Sequence, residues 1–575
     1  MRSPIALPRS PAVLVALPAV LAATMSAGCN NDKGLNEVGG EEAVFEMTTP
    51  TAADWVDAGS VSVSGTAQNV QSVTLSLAPD GDEVAATRTG ENWNGNVKLA
   101  RGVNVIQATA VDLRDDTLFK RHGVLAGDFA NPDNGVNDAL SARVNQGGLD
   151  KIGELVAAYM TPELVTSSVT AMNPVYADSY SVFGFDAVEV YDDINVITYD
   201  SPEIAFSPSN GLLTLTATLP NLYVGTTAYG TALGYDFSSD VSMTASSAII
   251  TASIAVDVVD GQIDVTLTSC AVELKDFAYD TSLLPSYVTD YLLVETIRDT
   301  VEEMLVEKIQ TLVPELLGST LSGLDPSFST DILGYTVDMA FGFANADIDS
   351  DGIVIDLDVD VAMDAGGDKS YVGYLAAPVV SPSVDRHADI AAGFSDNVLN
   401  MVLFQAWRAG LLDMSLSTTD GSLDPSMLTL LKADEGTIST SASLPPVMVE
   451  SDDGNVQAQV TELLVTIDTP GGGLGDHIVI AMSLWVEIEL TIQDGALVLS
   501  LGEPTVVMDV RESDWGASNE ATTNLLADAL PVDVILALLG DISVPLPSLY
   551  GITIDSGEAE RDDNTYWTDA TVYLQ

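Results

Sequence analysis

Alternating apolar and polar residues predict a series of half-buried strands that lead into one long helix between residues 211 and 317. In the run GLLTLTATLPNLYVG (211–225), the side chains of Leu213, Leu215 and Ala217 share one face and three threonines share the other. This period of two is typical of a strand with one buried face. Residues 241–259 and 262–277 repeat the pattern.

After Thr289 the period changes to four, which indicates a helix with one apolar stripe. The stripe covers roughly six helical turns and carries no residue suited to catalysis or metal binding. It consists of Leu293, Ile297, Val301, Leu305, Ile309 and Val313. Together the two patterns predict a curved sheet wrapped around an apolar helix.

The rest of the chain repeats the order helix, strands, helix. A boundary is expected near residues 375–387, where two prolines interrupt the strand pattern, and a new helical segment follows Phe394. An apolar helical stripe can line a ligand pocket or pack into a core, and its period does not distinguish the two. The second-half candidates for such a stripe are Leu399, Leu403, Trp407, Leu526 and Leu530.

The N-terminus has the features of a secretory signal. Arg2 and Arg9 come before an apolar run (12–23) that is too short to span a bilayer and ends in small residues. The run SAGC (26–29) resembles a bacterial lipobox, with Ser26 where leucine is usual. We expect residues 1–28 to be a lipoprotein signal peptide, Cys29 to be lipidated and residues 29–41 to be a tether. A plain signal peptide ending in SAG is the alternative.

Short alternating strands separated by Gly, Asn and Asp turns follow the tether, for example in residues 61–77 and 92–112. This pattern resembles bacterial immunoglobulin-like modules. We expect an all-β sandwich over residues 42–127, with Trp93 in its core, that acts as a spacer or interaction module. Because residues 127–138 are rich in Gly, Pro, Asn and Asp, we expect a linker over residues 128–147.

Five segments in order carry a wider resemblance: GLDKIGELVAAYM (148–160), LPNLYVG (219–225), TSCAVEL (268–274), FSDNVLNMVLFQAWRAGLL (394–412) and DISVPLPSLYGITI (541–554). They resemble the tubular lipid-binding superfamily, which includes bactericidal/permeability-increasing protein, lipopolysaccharide-binding protein and cholesteryl ester transfer protein.

The resemblance implies an α+β fold with two elongated antiparallel β-barrels, each with long apolar helices, joined by a central sheet. The barrels would span residues 148–385 and 386–575, after the N-terminal immunoglobulin-like sandwich. Each barrel of this family encloses an apolar lipid pocket. The candidates for pocket lining are Leu155, Tyr159, Leu293, Ile297, Val301, Leu305, Leu399, Leu403, Trp407, Leu526 and Leu530.

The charge changes what the resemblance implies. The chain has 84 acidic and 20 basic residues, for a formal net charge of -64. Such a surface repels nucleic acid and anionic membranes. Relatives that capture lipopolysaccharide phosphates use a basic tip, and barrel 1 has no Lys/Arg cluster in its sequence. We therefore expect no nucleic-acid partner and no antibacterial activity.

One segment competes as a metal site. Asp347, Asp349 and Asp351, followed by Gly352, match the opening of a calcium loop. The match then fails, because position twelve is Asp358 and the residues after the glycine alternate as a strand. A hairpin turn at DSDG is the preferred interpretation, with a weakly bound calcium ion as the alternative.

Enzyme signatures are missing from the sequence. Its three histidines, His122, His387 and His477, lie in different predicted modules. There is no nucleophile elbow, zinc-protease motif or phosphate-binding loop. Cys270 is expected to be a small buried residue without a disulfide partner, because Cys29 is assigned to lipidation. We expect neither an enzyme nor a cofactor.

Two hypotheses for function remain from the sequence. The first is a lipid-binding or lipid-transfer lipoprotein that holds acyl chains of phospholipid or a similar lipid, anchored through its N-terminal lipid to the outer membrane of a Gram-negative bacterium. It would face the periplasm or the cell surface, since Asn30 does not suggest inner-membrane retention. The second is an anchored surface interaction or structural protein whose barrels are filled by side chains. The sequence indicates no oligomeric state.

Overall fold

The structure is a computed structural model. It describes residues 43–171, 173–182, 185–280, 294–322, 327–332, 335–363, 369–378, 384, 386–451, 456–493, 496–515, 543–545, 556–562 and 567–572. In these residues the chain is mainly β, with a few helices.

Two facing sheets form the N-terminal part. One has the strand order β1-β3-β7-β6 and the other β2-β9-β8-β4-β5. Trp93 is buried between them and stacks on Phe45, with ring centroids 5.7 Å apart, so its predicted core position is confirmed. The strands are β1 (Val44–Thr49), β2 (Asp54–Val56), β3 (Gly59–Gln68), β4 (Val70–Ala78), β5 (Val84–Ala85), β6 (Thr87–Thr89), β7 (Asn92–Leu99), β8 (Gly102–Asp112) and β9 (Thr117–Ala126). We call this part the N-terminal sandwich.

The first half of the remaining chain contains a long antiparallel sheet, here called the first-half sheet, in the order β12-β13-β15-β16-β17, with β14 paired to β15 and β18 to β16. The elements of the first half, in chain order, are β10 (Asp128–Ala130), β11 (Val136–Asn145), α1 (Gln146–Tyr159), α2 (Pro162–Thr170), β12 (Tyr176–Val182), β13 (Phe185–Thr198), β14 (Glu203–Ser209), β15 (Leu212–Ala232), β16 (Tyr235–Val259), β17 (Gln262–Lys275), β18 (Ala278–Asp280), α3 (Val294–Ser322), β19 (Phe328–Ile332), β20 (Tyr335–Ile348) and β21 (Gly352–Met363).

The predicted strand and helix patterns are present in this half. Strands β15 and β16 pair from Leu213 opposite Ile254 to Ala232 opposite Tyr235, with an interruption at Asn221, where the buried positions of β15 change phase. The strand extends seven residues beyond Gly225. Among the described side chains of α3, the buried ones recur every four residues, which confirms the predicted stripe at Val301, Leu305, Ile309 and Val313. The stripe continues through Leu317 and Leu321.

The second half begins with a short strand and a buried helix. The Ser395 hydroxyl accepts a hydrogen bond from the Asn397 N–H at 3.2 Å and caps the helix start, and Gly410 ends it in a left-handed conformation. The elements are β22 (Tyr374–Ala376), β23 (Ile390–Ser395), α4 (Asp396–Ala409), β24 (Met414–Ser417), β25 (Thr437–Ala442), β26 (Val447–Glu450), β27 (Val456–Asp468), β28 (His477–Gln493), β29 (Ala496–Ser513), β30 (Ser543–Pro545), β31 (Ser556–Asp562) and β32 (Trp567–Val572).

Strands from both halves share one 14-stranded sheet, whose main path is β19-β20-β21-β11-β23-β32-β31-β28-β27-β25-β24. Strand β11 lies inside this sheet, between β21 and β23. The linker predicted over residues 128–147 is therefore wrong, because most of this segment is a strand of the shared sheet.

Polar residues in the second half of the predicted linker are paired inside the sheet. Ser141 donates to Asp356 at 2.7 Å, and Arg143 donates to Asp349 at 2.7 Å. The Asn145 amide donates to the Ala388 carbonyl, also at 2.7 Å. Because each polar group gains a partner, a segment of moderate polarity can be buried.

The N-terminal sandwich is docked on the second half and is not a free spacer. The Val103 N–H donates to Gln459 Oε1 at 2.7 Å, and Arg121 Nη1 donates to the Met508 carbonyl at 2.6 Å. The first of these bonds is buried, and Val103 also belongs to an apolar cluster shared by the sandwich and the second half. The cluster consists of Val103, Leu125, Leu375, Leu444, Val447 and Val449.

Candidate apolar ligand site

A cavity lies between helices α1 and α3 and the inner face of strands β14, β15 and β16. Its unfilled volume is about 370 Å³, which includes space open to solvent. Every lining side chain is apolar: Val156, Met160, Ile204, Phe206, Leu215, Ala217, Ile250, Ile309, Val313 and Leu317.

The local sequence explains why space remains here. Ala217 on β15 lies opposite Ile250 on β16, so a small side chain faces the helices where the predicted pattern otherwise places larger ones. Gly153 lets α1 approach β14 closely, because a Cβ atom there would lie 2.6 Å from the Ile204 carbonyl oxygen. Helix α1 is thus held against the sheet while Ala217 leaves the layer between them incompletely filled.

Helix α1 lines the cavity with a different face from the one we predicted. Leu155 and Tyr159 are 38% and 58% exposed, so the prediction that they line a pocket is wrong. Val156 and Met160, one position further along, line the cavity in their place. A shift of one residue turns a helical side chain by about 100°. Helix α1 is short, so the spacing of its apolar residues does not determine which face of the helix meets the sheet.

Helix α3 contributes its C-terminal half to the cavity. Val301 and Leu305 are buried in the same apolar core, as predicted for one stripe, but the cavity is lined by Ile309, Val313 and Leu317 further along the helix. Of the other α3 candidates, Leu293 and the side chain of Ile297 lie outside the described residues.

The second-half candidates lie in a packed core. Leu399, Leu403 and Trp407 belong to α4, which is buried on nearly all sides and packs against strands of both halves. Trp407 donates its indole N–H to the Ala442 carbonyl at 2.8 Å and meets Trp55 of the N-terminal sandwich edge-on, at 6.5 Å between ring centroids. These three residues are core residues. The sequence pattern had left both roles open, pocket lining and core packing. Leu526, Leu530 and Cys29 lie outside the described residues.

The acidic segment at DSDG is a hairpin turn between β20 and β21, as preferred from its sequence. Asp349 accepts from the N–H groups of Asp351 and Gly352 and from Arg143. The hydrogen bond from Arg143 is the main cause that lowers the pKa of Asp349 to about 2. Arg386 binds Asp351 at 2.9 Å, so two arginines supply the positive charge at this turn.

The calcium alternative at this turn gains no support. Asp347, the first of the three candidate ligands, has an exposed side chain and accepts a hydrogen bond from the neighbouring Ile348 N–H. Across the part of the chain that the structure describes, no group of three or more His, Cys, Asp and Glu side chains is arranged to hold a metal ion.

Cys270 is half-buried on β17 and packs at the edge of the main apolar core. Burial raises the pKa of its thiol. The thiolate is the reactive form of cysteine, so this environment lowers its reactivity. The structure agrees with a packing role for the side chain, although its burial is partial.

None of the helices within the described ranges combines the length and the apolar character that crossing a bilayer requires.

No protein-family profile matches the chain, and no curated protein matches it. Among solved structures, lipopolysaccharide binding protein aligns with 76% of this chain and 99% of its own, at 13% identity and a TM-score of 0.41. P47 from Clostridium botulinum A2 aligns with 77% of this chain and 99% of its own, at 9% identity and a TM-score of 0.25. The fibronectin(III)-like modules of Clostridium thermocellum CbhA align with 34% and 91%, at 11% identity and a TM-score of 0.13. The function of this chain is therefore inferred from its own residues.

Proposed function

We propose that this protein is a lipid-binding or lipid-transfer lipoprotein. It holds an acyl chain of a phospholipid or a similar lipid in the cavity between α1, α3 and the first-half sheet, with no covalent chemistry and no cofactor. The observation that carries the proposal is the unfilled apolar space. Protein interiors are normally close-packed, so a space lined only by apolar side chains is suited to an apolar ligand.

The energetic reason for such a protein is the cost of exposing an acyl chain to water. At about 0.8 kcal/mol per methylene group, a chain of about sixteen carbons exposes roughly 12 kcal/mol of hydrophobic free energy. A protein that keeps the chain covered removes most of this barrier. Contacts in the cavity are sufficient for the task, and no reacting group is needed.

The proposed location follows from the N-terminal sequence. Lipidation at Cys29 would anchor the protein to the outer membrane of a Gram-negative bacterium, facing the periplasm or the cell surface, because acyl chains on one residue give lasting membrane attachment. The high negative charge would keep the remainder of the protein away from anionic lipid surfaces.

A second candidate function is favoured by the second half of the molecule. Helix α4 is packed on nearly all sides and meets the N-terminal sandwich through Trp55 and Trp407. A filled second half is what we expect of an anchored interaction or structural protein. The two candidates differ in whether the cavity beside α3 takes up lipid.

The test is native mass spectrometry with lipid extraction on the full chain, expressed in a Gram-negative periplasm with Cys29→Ser so that no anchor lipid interferes. We expect co-purified lipid in stoichiometric amount. Ala217→Phe places a ring in the cavity and should remove most of that lipid. Ala205→Phe is the matched control, because it adds the same ring to an exposed position on the neighbouring strand β14.

A clean ligand-free mass for the unsubstituted chain that also resists loading with phospholipid in vitro would refute the lipid proposal. That result would favour the interaction protein. Equal lipid loss in Ala217→Phe and Ala205→Phe would show that the lipid is bound elsewhere.

A further inference from the structure

A pair of buried polar side chains lies inside the first half of the molecule. Asp192 on β13 is 2% exposed, and neither of its carboxyl oxygens has a hydrogen-bond partner. Thr226 on β15 is 1% exposed, and its hydroxyl also lacks a partner. Buried polar groups in proteins are nearly always hydrogen-bonded, so two such groups together require a specific explanation.

The sheet register brings the two side chains to the same inner face. Asp192 lies opposite Ala228, and Ile194 lies opposite Thr226, so Asp192 and Thr226 are diagonal neighbours across β13 and β15. The Thr226 hydroxyl is close enough to lower the pKa of Asp192, although the two groups do not meet the geometry of a hydrogen bond.

These two residues interrupt the apolar interior of the first-half sheet. Towards one end, Val190 and Ala228 belong to small separate apolar clusters. Towards the other end, Ile194 and Val224 belong to the large core that continues to the cavity. The polar pair thus separates the small clusters from the main core.

Burial of this pair without hydrogen-bond partners lowers the stability of the fold. Each unsatisfied buried polar group costs about 1–3 kcal/mol, and more when it is charged. Burial is the main cause that raises the pKa of Asp192 to about 6, with a further contribution from Asp193. Tyr279 on β18 is the other titratable neighbour, and burial together with Asp192 raises the pKa of its phenol. A hydrogen-bonding group from a ligand would relieve this cost.

We propose that Asp192 and Thr226 form a polar subsite that binds the hydroxyl or amine head group of a lipid. This inference rests on the proposed lipid-binding function and adds to it the class of head group. The carboxyl oxygens of Asp192 accept hydrogen bonds, and the Thr226 hydroxyl accepts or donates one. A neutral hydroxyl or a protonated amine can form hydrogen bonds with both residues. A phosphate or carboxylate would be repelled by the negative charge of Asp192.

An apolar surface connects this subsite to the cavity. Leu219, Leu222 and Val224 are buried on the inner side of β15 between Ala217 and Thr226. Nine residues of strand separate Ala217 from Thr226, which corresponds to roughly 30 Å. The head-group subsite and the cavity therefore border the same apolar core, at different positions along β15.

The test compares three probes that share one unsaturated eighteen-carbon chain: 1-oleoylglycerol, oleylamine and oleic acid. Binding of each is measured by native mass spectrometry and by displacement of a fluorescent fatty acid, on the full chain with Cys29→Ser. We expect Asp192→Leu to bind oleylamine and 1-oleoylglycerol about tenfold more weakly, as the loss of a hydrogen bond to a charged group implies. Oleic acid should bind as well as before or better.

Matched variants separate head-group binding from folding. Asp193→Leu changes the next residue, whose side chain is only partly buried on the opposite face of β13, and should leave the binding of all three probes unchanged. Asp192→Leu should fold at least as stably as the parent, because it removes an unpartnered buried carboxyl. If Asp192→Leu fails to fold, Asp192→Asn, which keeps the side-chain shape, is used in its place.

The outcomes distinguish this inference from the function it rests on. Equal affinities for the three probes that do not change in the Asp192 variants would overturn the subsite and leave lipid binding intact. Failure of the parent protein to bind any of the three probes would overturn both.

Discussion

The main-chain N–H of Gly123 in the N-terminal sandwich donates a hydrogen bond to Glu462 Oε1 on β27, at 2.7 Å. Glu462 reaches this position through an irregularity in the pairing of β27 with β28, between Val460 and Leu463, where Glu462 has a φ of +49°. Arg511 pairs with the same carboxylate. The sandwich is therefore fixed to the second half by a charged, hydrogen-bonded contact.

This contact predicts that Gly123 tolerates no side chain. A Cβ atom at Gly123 would lie 2.0 Å from Thr461 Oγ1. We expect Gly123→Val to lower the free energy of unfolding by about 1–3 kcal/mol through overpacking and to loosen the sandwich. Hydrogen exchange of β8 and β9 would measure the loosening.

Gly342→Val is the control for this prediction, because a Cβ atom at Gly342 meets no atom within 4 Å. It adds the same side chain and should change neither the free energy of unfolding nor the hydrogen exchange of β8 and β9 by much. Unchanged hydrogen exchange in Gly123→Val would show that the sandwich docks independently of this contact.

Asp192 predicts a dependence of stability on pH. Its pKa is about 6 in the folded protein, against an ordinary value of 3.8. The folded state therefore holds the proton more tightly, and stability falls as the pH rises from about 4 to above 6. A difference of about two pH units corresponds to a loss of about 3 kcal/mol.

Asp192→Asn should remove this dependence, so that the variant is about equally stable at pH 4 and more stable than the parent at pH 8. Chemical denaturation at the two pH values would measure it. Asp193→Asn removes only a smaller contribution to the raised pKa of Asp192 and should keep most of the dependence. An advantage of Asp192→Asn that is the same at both pH values would contradict the assignment.

The turn at Asp349 predicts a second effect of opposite sign. Because the pKa of Asp349 is lowered to about 2, mainly by the hydrogen bond from Arg143, its contribution is present above pH 4 and lost as the pH falls towards 2. Arg143→Met should cost about 1–3 kcal/mol at pH 7, because it removes the main partner of a carboxylate that keeps two main-chain N–H donors.

The double variant Arg143→Met with Asp349→Asn should recover part of that loss, which a double-mutant cycle would quantify. Addition of millimolar calcium should leave the melting temperature of the parent unchanged, since the arginines already neutralise the turn. A clear rise in melting temperature with calcium, absent in Asp349→Asn, would restore the calcium alternative.

The packing of the two halves predicts different responses to one added side chain. Ala217 borders the cavity, whereas Ala406 is buried in the packed α4. We expect Ala217→Leu to change stability by less than about 1 kcal/mol and Ala406→Leu to cost about 1–3 kcal/mol. Thermal unfolding of the two ligand-free variants would measure both. Equal costs would mean that the space beside Ala217 is closed in solution.

Local patterns in the sequence determined most of the secondary structure. The period of two in residues 211–225 and the spacing of Val301, Leu305 and Ile309 correspond to β15 and α3, because one-sided burial imposes these periods on any strand or helix. The turn at DSDG also follows from the sequence, since the strand alternation resumes directly after it. The spacing of apolar residues alone therefore identifies the residues of α3 that face the core.

Pairing between distant segments decided the remainder. Strand β11, predicted as part of a linker, joins the sheet because its polar residues find partners, such as Asp349 and Asp356, more than 200 positions away. Helix α1 is rotated by one residue from the predicted orientation, so that Val156 and not Leu155 faces the cavity.

The sequence by itself therefore determined most of the strands and helices, with β11 as an exception, and which stripe of α3 is buried. Only the tertiary structure decided where empty space remains, that α4 is packed, and that Asp192 is buried without a partner. The physical reason is that burial periodicity is a local property, whereas cavity volume and hydrogen-bond satisfaction depend on side chains that meet only after the chain has folded.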